Sequence, residues 1–470
     1  MSYTRLGYLA IKAEVTENTA VKPDVFVPLM SEDIVTAWGE TSAKPVAGNR
    51  ALNLRPLDTA IEAPAGTVNV LLEPKTIGYF LKAVFGAVTT GQIMMLSGSN
   101  GAFTVGETIT GGTSAKTATV VAKSAELDYV LISAPSGAFT VGETLTGGSS
   151  AKTAVLVSHT STVFGHQFTA PQSSLPTYTV EIGYQNEAIR FTGVRFHEFN
   201  GIAQTDNIIT AAISMIARAE FKHARITAIT TSGAGAKTLT LDQTTGLVAA
   251  DTIKLFRPGT GYMDFSATSV KTHTVGTVPS ETSITITNLE TAVAVGDLIV
   301  LAPQTPSYTI DSEFTWIGGS VTKVASTMVL ALAASAECIE DFELVLANEM
   351  EAKHCALGTN VVNRFPSKIF LKGLTGSGKL NKTYIDPTFL DRLRNGTGTS
   401  IQVKHVGNQI GSSGQFYTVD WRLPKAIFQA FNPSLSEDDL QMQEMSFDLY
   451  HDTTSGYFAK ALLVTDVATY

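Results

Sequence analysis

The chain is predicted to be mainly β: two tandem β-units, each with one short helix, carrying two small inserted β-domains. Two internal repeats predict this, together with a sequence rich in Thr, Ser, Gly and Ala and only 16 % charged. The first repeat is loose and long-range. Glu32-Asp33-Ile34, Ala43-Lys44, a Gly66-Thr67-Val68-Asn69-Val70 strand and a Glu73-Pro74 helix start ending at Gly86 form one set. They are answered by Glu340-Asp341-Phe342, Ala352-Lys353, Gly376-Ser377-Gly378-Lys379-Leu380 and an Asp386-Pro387 helix start ending at Gly396. Tyr178-Thr179-Val180 is matched with Tyr417-Thr418-Val419. The second repeat is sharp. GAFTVGETITGGTSAKTATVV from Gly101 and GAFTVGETLTGGSSAKTAVLV from Gly137 agree at seventeen of 21 positions, 36 residues apart.

At 470 residues the chain has room for roughly two to four domains with separate cores. Unit one is assigned to 1–90 plus 163–227 and unit two to 307–470. In unit one, Ile77, Phe80, Leu81 and Val84 fall at i, i+3, i+4 and i+7, the spacing of a helix packed on a sheet. Phe389, Leu390 and Leu393 do the same in unit two, and a proline after an acid suits a first helical turn. The sharp repeat lies in a module over 91–162, with loops expected at Gly91 and Ser161. Alternating Phe/Val and Thr with a Gly-Gly turn predicts a hairpin per copy, each copy supplying half the module's strands. A further sandwich or small barrel is expected over 228–306. Its strands include Leu239-Thr240-Leu241, Ile253 to Phe256, Ile284-Thr285-Ile286 and Leu298 to Leu301, with an exit linker at Pro303 and Pro306.

Charge and motifs exclude more than they assign. A net charge of −9 offers no basic footprint for gripping nucleic acid. Low charge on a large chain predicts a surface covered by partners, though an ordinary Thr/Ser-rich β-protein fits as well. Cys338 and Cys355 lack metal-ligand spacing and read as free thiols. The opening residues have no apolar h-region, so no signal peptide is expected. The most apolar run, Met328 to Ala336, is far short of the roughly 18–20 residues of a membrane span and reads as a core strand or short helix. Gly373 to Leu380, GLTGSGKL, fits GxxxxGK, but Leu380 offers no hydroxyl for magnesium and no helix starts at the lysine. It reads as a turn before a strand. Eight scattered histidines give no zinc motif, no GxSxG is present, and Glu340-Asp341 and Asp438-Asp439 read as solvated charges. No catalytic, cofactor or metal residue is therefore assigned.

Four stretches in order carry a resemblance: SYTRLGYLAIKAEVTENTAVKP from Ser2, VNVLLEPKTIGYFLKAVFG from Val68, LPTYTVEIGY from Leu175 and DNIITAAISMIAR from Asp206. Together they resemble tail tube (major tail) proteins of long-tailed bacteriophages, most clearly in unit one. The resemblance implies, for each unit, a β-sandwich or barrel domain of two antiparallel sheets flanked by one helix, with inserted Ig-like modules. It implies a non-enzymatic virion protein, made in the host cytoplasm, whose sheets join edge to edge into stacked rings. Two units per chain imply a homotrimeric, pseudo-sixfold ring. The expected partners are other copies of the chain, tail completion and baseplate proteins, and genomic DNA that transits the lumen without specific binding. No membrane is involved. The bore should be acidic and small-polar, to avoid salt-sensitive phosphate contacts. The loops from Glu40 to Ala63 and from Glu349 to Leu371, with Arg50, Arg55, Lys353 and Arg364, should reach the adjacent ring. Outward-pointing modules favour a non-contractile tail. Two rival readings fit the same composition: a β-rich adhesin or host-surface binding protein, and a hydrolase with β-modules and convergent carboxylates.

Overall fold

The computed structural model describes residues 7–36, 41–43, 55–57, 63–124, 128–169, 174–204, 208–231, 236–263, 265–266, 269–270, 272–280, 282–287, 293–308, 327–330, 339–353, 366–383, 388–396, 398–434 and 442–470. Among them are thirty-two strands and two helices, a mainly β protein with antiparallel pairing throughout. Cys338, Cys355, His354, Arg50 and Arg364 lie outside the described residues.

Strand registers align the two halves element by element. Tyr8–Ala13, Leu29–Glu32, Ala65–Leu71, Ile77–Phe85, Tyr178–Gly183, Ala188–Gln204 and Thr210–Ile216 form the first half. Thr327–Leu330, Ile339–Lys353, Lys368–Thr383, Thr388–Asn395, Thr399–Gln409, Phe416–Ser434 and Met442–Leu449 repeat that order in the second. The first helix stops where Gly86 enters the left-handed region at φ 73°, and Gly396 at φ 58° ends the second. Ile77, Phe80, Leu81 and Val84 are all buried, and Phe80 meets Phe196 edge-on at 5.3 Å.

The registers also correct the sequence alignment by two residues. Gly66 lies opposite Met215 and Gly378 opposite Phe447 in corresponding ladders, so Gly66 answers Gly378 rather than Gly376, and Asn69 answers Asn381. Likewise Glu32 answers Phe342. Tyr178 corresponds to Thr399, not to Tyr417, because Tyr178 faces Val194 and Thr399 faces Ala426 in matching hairpins. Gly373 to Leu380 is not a turn but the middle of the Lys368–Thr383 strand. A Cβ on Gly378 would lie 2.4 Å from the Phe447 ring and 2.6 Å from the Glu343 carbonyl oxygen, so glycine is there for close packing. The described residues of the expected loops are largely strand as well: Thr41–Ala43 pairs with Arg55–Leu57, and the Ile339–Lys353 and Lys368–Thr383 strands pair out to Lys353 and Lys368.

Three hydrophobic clusters organise the interior. The largest draws on both halves, from Leu9 and Val68 to Phe447 and Val464. A second is built from Ala188, Phe221 and residues between Ala224 and Leu301. Here Leu239 faces Ile284 across two strands of the expected pair. The exit segment is tied down: the Gln304 backbone N–H donates to the Tyr8 hydroxyl at 2.7 Å. The third cluster, from Met94 to Leu156, belongs to the sharp repeat. The loops expected at Gly91 and Ser161 are not there, because Ala87–Ser97 and Thr153–Thr169 run as unbroken strands through them.

Each copy of that repeat folds as a hairpin, and the copies pair through Ile109–Gly147 and Gly111–Leu145 about a local pseudo-twofold. Two glutamates cross between them. Glu107 accepts the backbone N–H groups of Ser149 and Ser150 and the Ser150 hydroxyl; Glu143 accepts those of Thr113 and Ser114 and the Ser114 hydroxyl. Burial alone would raise the Glu107 carboxyl, but hydrogen bonds from Ser150, Thr104 and Ser149 outweigh it and hold it at about 2. Glu143 is held low in the same way.

Two outcomes are expected. Gly378→Ala should destabilise the main core by about 1–3 kcal/mol in urea titrations, as overpacking does. Gly373→Ala, with open space around it, should not; equal effects would refute the close-packing account. The glutamate clamps add stability that is complete above the unfolded value of 4.5 and is lost as pH falls towards about 2. Acid titration of amide exchange within 104–156 should therefore lose most of its pH dependence in the Glu107→Gln, Glu143→Gln double variant. An unchanged acid midpoint would show that the clamps do not set it.

Candidate assembly site

One sheet crosses the boundary between the halves. Its strands run in the order 29–32, 65–71, 210–216, 195–204, 339–347, 374–383, 442–449 and 426–434, four from each half. Thr210–Ile216 alternates half-buried and buried, and Phe342 to Asn348 does likewise, so one face lines the core and the other is polar. A single row on the polar face reads Ser31, Asn69, Ala212, Asn200, Val345, Ser377 and Asp448. Rows beside it place Glu198, Asp341, Glu343 and Glu444 against the single ammonium of Lys379. Asn69 donates to the Ser31 hydroxyl at 2.8 Å and Asn200 to the Glu343 carboxylate at 2.9 Å, so neighbouring strands are cross-linked over this face. It is acidic and mostly small and polar, with Ile202 and Val345 as apolar members.

The junction itself is a seven-residue ladder, from Glu198 opposite Ala347 to Gln204 opposite Asp341. Below it, Phe199 meets Trp421 at 5.4 Å, and the buried Asn348 side chain donates to the Val84 carbonyl at the end of the first helix. A sequence signal for the two rim-forming strands exists and escaped the sequence reading. Phe196-His197-Glu198-Phe199-Asn200 matches Phe428-Gln429-Ala430-Phe431-Asn432. Both carry the same bulge, one between Phe196 and Glu198 and the other between Phe428 and Ala430. It was hidden because a bulge breaks the alternation on which a strand is recognised.

That equivalence defines two open rims. The 198–204 rim of the first half is covered by 341–347 of the second. Among the described residues, 428–434 has no strand on the corresponding side, and neither has 29–35. Val35 exchanges both backbone bonds with Ala65, which turns the Ile34 N–H outward; it is held by the Glu32 carboxylate at 3.0 Å. Met30 and Val35 on this rim are 59 % and 65 % exposed. Pro433 stands where the first half has Gly201 and removes one donor from the other rim, a common guard on edge strands.

Arg55 lies in the short Arg55–Leu57 strand of the first half's hairpin. Lys353 is exposed at the end of the corresponding long hairpin and ion-pairs with Glu351, which also holds Lys372 at 2.7 Å. The two residues thus occupy matching arms, and the structure brings neither into a shared site. Among the described residues no group of three or more His, Cys, Asp or Glu could hold a metal, and no helix is long and apolar enough to cross a membrane. His166 and His405 are buried, and desolvation pushes both down to about 4, so neither suits proton transfer near neutral pH. A cleft of about 750 Å³ between the Tyr8–Ala13 region and the 252–305 segment is lined by Lys12, Lys22 and Lys254. Each ammonium already has a protein acceptor: Asp24, the Ala250 carbonyl and the Asn186 carbonyl. No family model matches this chain, and no curated protein matches it.

Proposed function

We propose that the chain is a structural tube subunit of a bacteriophage tail, and that three copies close into a pseudo-sixfold ring around a lumen for the genome. One observation carries this reading. The chain already makes, between its own halves, the rim-to-rim joint that a ring would need between copies. The open rims at 428–434 and 29–35 are the counterparts of the two strands joined at that joint, so they are complementary by duplication. Such a head-to-tail contact is heterologous and closes only as a ring or a helix. Three copies of eight strands, at about 4.8 Å per strand, give a circumference of about 115 Å and a diameter of about 37 Å before strand tilt. That is wider than a DNA duplex. The polar face would then form the bore, and its carboxylates would repel phosphate rather than hold it. The paired hairpin arms bearing Arg55 and Lys353 would contact the next ring.

The internal joint also supplies a register. Asn200 faces Val345 there, so Asn432 should face Val35 of the next copy. Because Val35 bonds inward to Ala65, this would be a non-hydrogen-bonded pair, whose Cα separation of about 4.5 Å suits a disulfide. Oxidising Asn432→Cys, Val35→Cys protein should give a covalent ladder ending at trimer on denaturing gels. Either single variant, or Asn432→Cys with Ser31→Cys, should not. Hollow tubes should appear in negative stain of the unmodified chain. A monomer at high concentration that neither cross-links nor forms tubes would refute the reading.

A further inference from the structure

The outer hairpins of the two halves, Tyr178–Gly183 with Ala188–Gln204 and Thr399–Gln409 with Phe416–Ser434, carry a buried arginine at the same station. Arg190 faces Glu181 and Arg422 faces Gln402 in matching registers. Both side chains are almost fully buried, at 1 % and 3 % exposed. An isolated buried guanidinium is costly, and each is met by carboxylates. One comes from the same half: Glu181 for Arg190 at 2.7 Å, Asp420 for Arg422 at 2.7 Å. The other comes from outside it. Asp251 of the 223–301 module takes Arg190 in two parallel bonds, Nη1 to Oδ2 at 2.6 Å and Nη2 to Oδ1 at 2.9 Å. Asp128 of the sharp-repeat module accepts from Arg422 Nη2 at 3.1 Å, and the neighbouring Tyr129 ring lies under the guanidinium at 5.4 Å.

We infer that Arg190 and Arg422 are two copies of one docking socket, and that its ligand is an aspartate presented by a β-module. Paired guanidinium and carboxylate impose direction as well as attraction, so the socket sets how each module leans on its half. It also accounts for a crossing in the chain. The sharp-repeat module is inserted in the first half by sequence, yet it docks on the second, where Phe164 to Phe168 also pairs with Ala461 to Thr465. The module that follows the first half docks back on it, through Asp251 and the pair Ala188–Leu301. Each half therefore carries one module at an equivalent station. The sockets differ in strength. The Arg190 pair is bidentate and sealed, whereas the Asp128 side chain is 39 % exposed and gives a contact that salt can screen.

Hydrogen exchange on the full chain tests this, and it does not depend on ring formation. Asp251→Asn keeps the shape and removes the charge. Amides at the docking edge, 252–254 and 299–301, should exchange at least tenfold faster. Those inside the module at 238–240 and in the main core at 196–202 should stay as protected as before. Asp128→Asn should loosen 164–168 by a smaller factor. Raising the salt concentration should reproduce that loosening in the unmodified chain without affecting 252–254. Unchanged exchange at 252–254 in Asp251→Asn would overturn the socket. So would a uniform loss of protection through the module interior or the whole chain, because Asp251 would then be a folding residue rather than a docking one.

Discussion

A strand presents hydrogen-bonding groups along both edges, and the row on which this molecule depends is the one along 198–204. It is satisfied by 341–347, from the other half of the same chain. Because that ladder lies between two copies of one fold, it fuses two sheets of four strands into a single surface with one apolar and one polar side. The large core cluster follows directly, since residues as far apart as Val68 and Met445 line the same interior. The ladder also defines what is left over. Among the described residues two rims remain open, and each is the counterpart of a rim already in use.

Duplication has kept some features and released others. The bulge after Phe196 and Phe428 persists, as do the close-packed Gly66 and Gly378 and the arginines at 190 and 422. All of these are imposed by backbone geometry or by buried charge, where a change is expensive. The polar face has diverged instead. In the first half its rows carry Asn69, Asn200, Thr210, Ala212 and Ser214, with Asp33 and Glu198 as acidic members; the second places Asp341, Glu343, Glu444 and Asp448 there, with Lys379 among them. Solvated positions tolerate such drift, and both halves keep a net negative charge on this face.

The inserted modules are held by a different physics. Their interiors are separate apolar clusters, so each has a core of its own. The contact with the halves combines ladder bonds with one buried or half-buried ion pair apiece, and in the sharp-repeat module Ile93, Ala122, Tyr129 and Leu131 also join the main core. In the sharp-repeat module the same preference for carboxylate against backbone N–H recurs internally, at Glu107 and Glu143. Charge is scarce in this chain, and at Arg190 and Arg422 buried charge joins one folded unit to another.

By itself the sequence determined the class of fold, the buried face of the first helix, the two hairpins of the sharp repeat and the existence of a duplicated unit. These are local: they follow from alternation, from the i, i+3, i+4, i+7 spacing of Ile77, Phe80, Leu81 and Val84, and from residues such as Gly86 that enter the left-handed region without strain. Register was not legible, because shifting a strand by two residues preserves its alternation; hence Gly66 was matched to Gly376 instead of Gly378. Strand was mistaken for turn at Gly376 and Gly378, since glycine signals either a bend or a close neighbour, and the neighbours, Leu449 and Phe458 for one and Phe447 for the other, decide which. Nor could the sequence reveal that Arg190 and Arg422 share a station, that one module crosses to the opposite half, or which residues form the acidic face. Those are set by pairing between segments distant in the chain, and it is the tertiary ladder, through its backbone bonds, that brings them together.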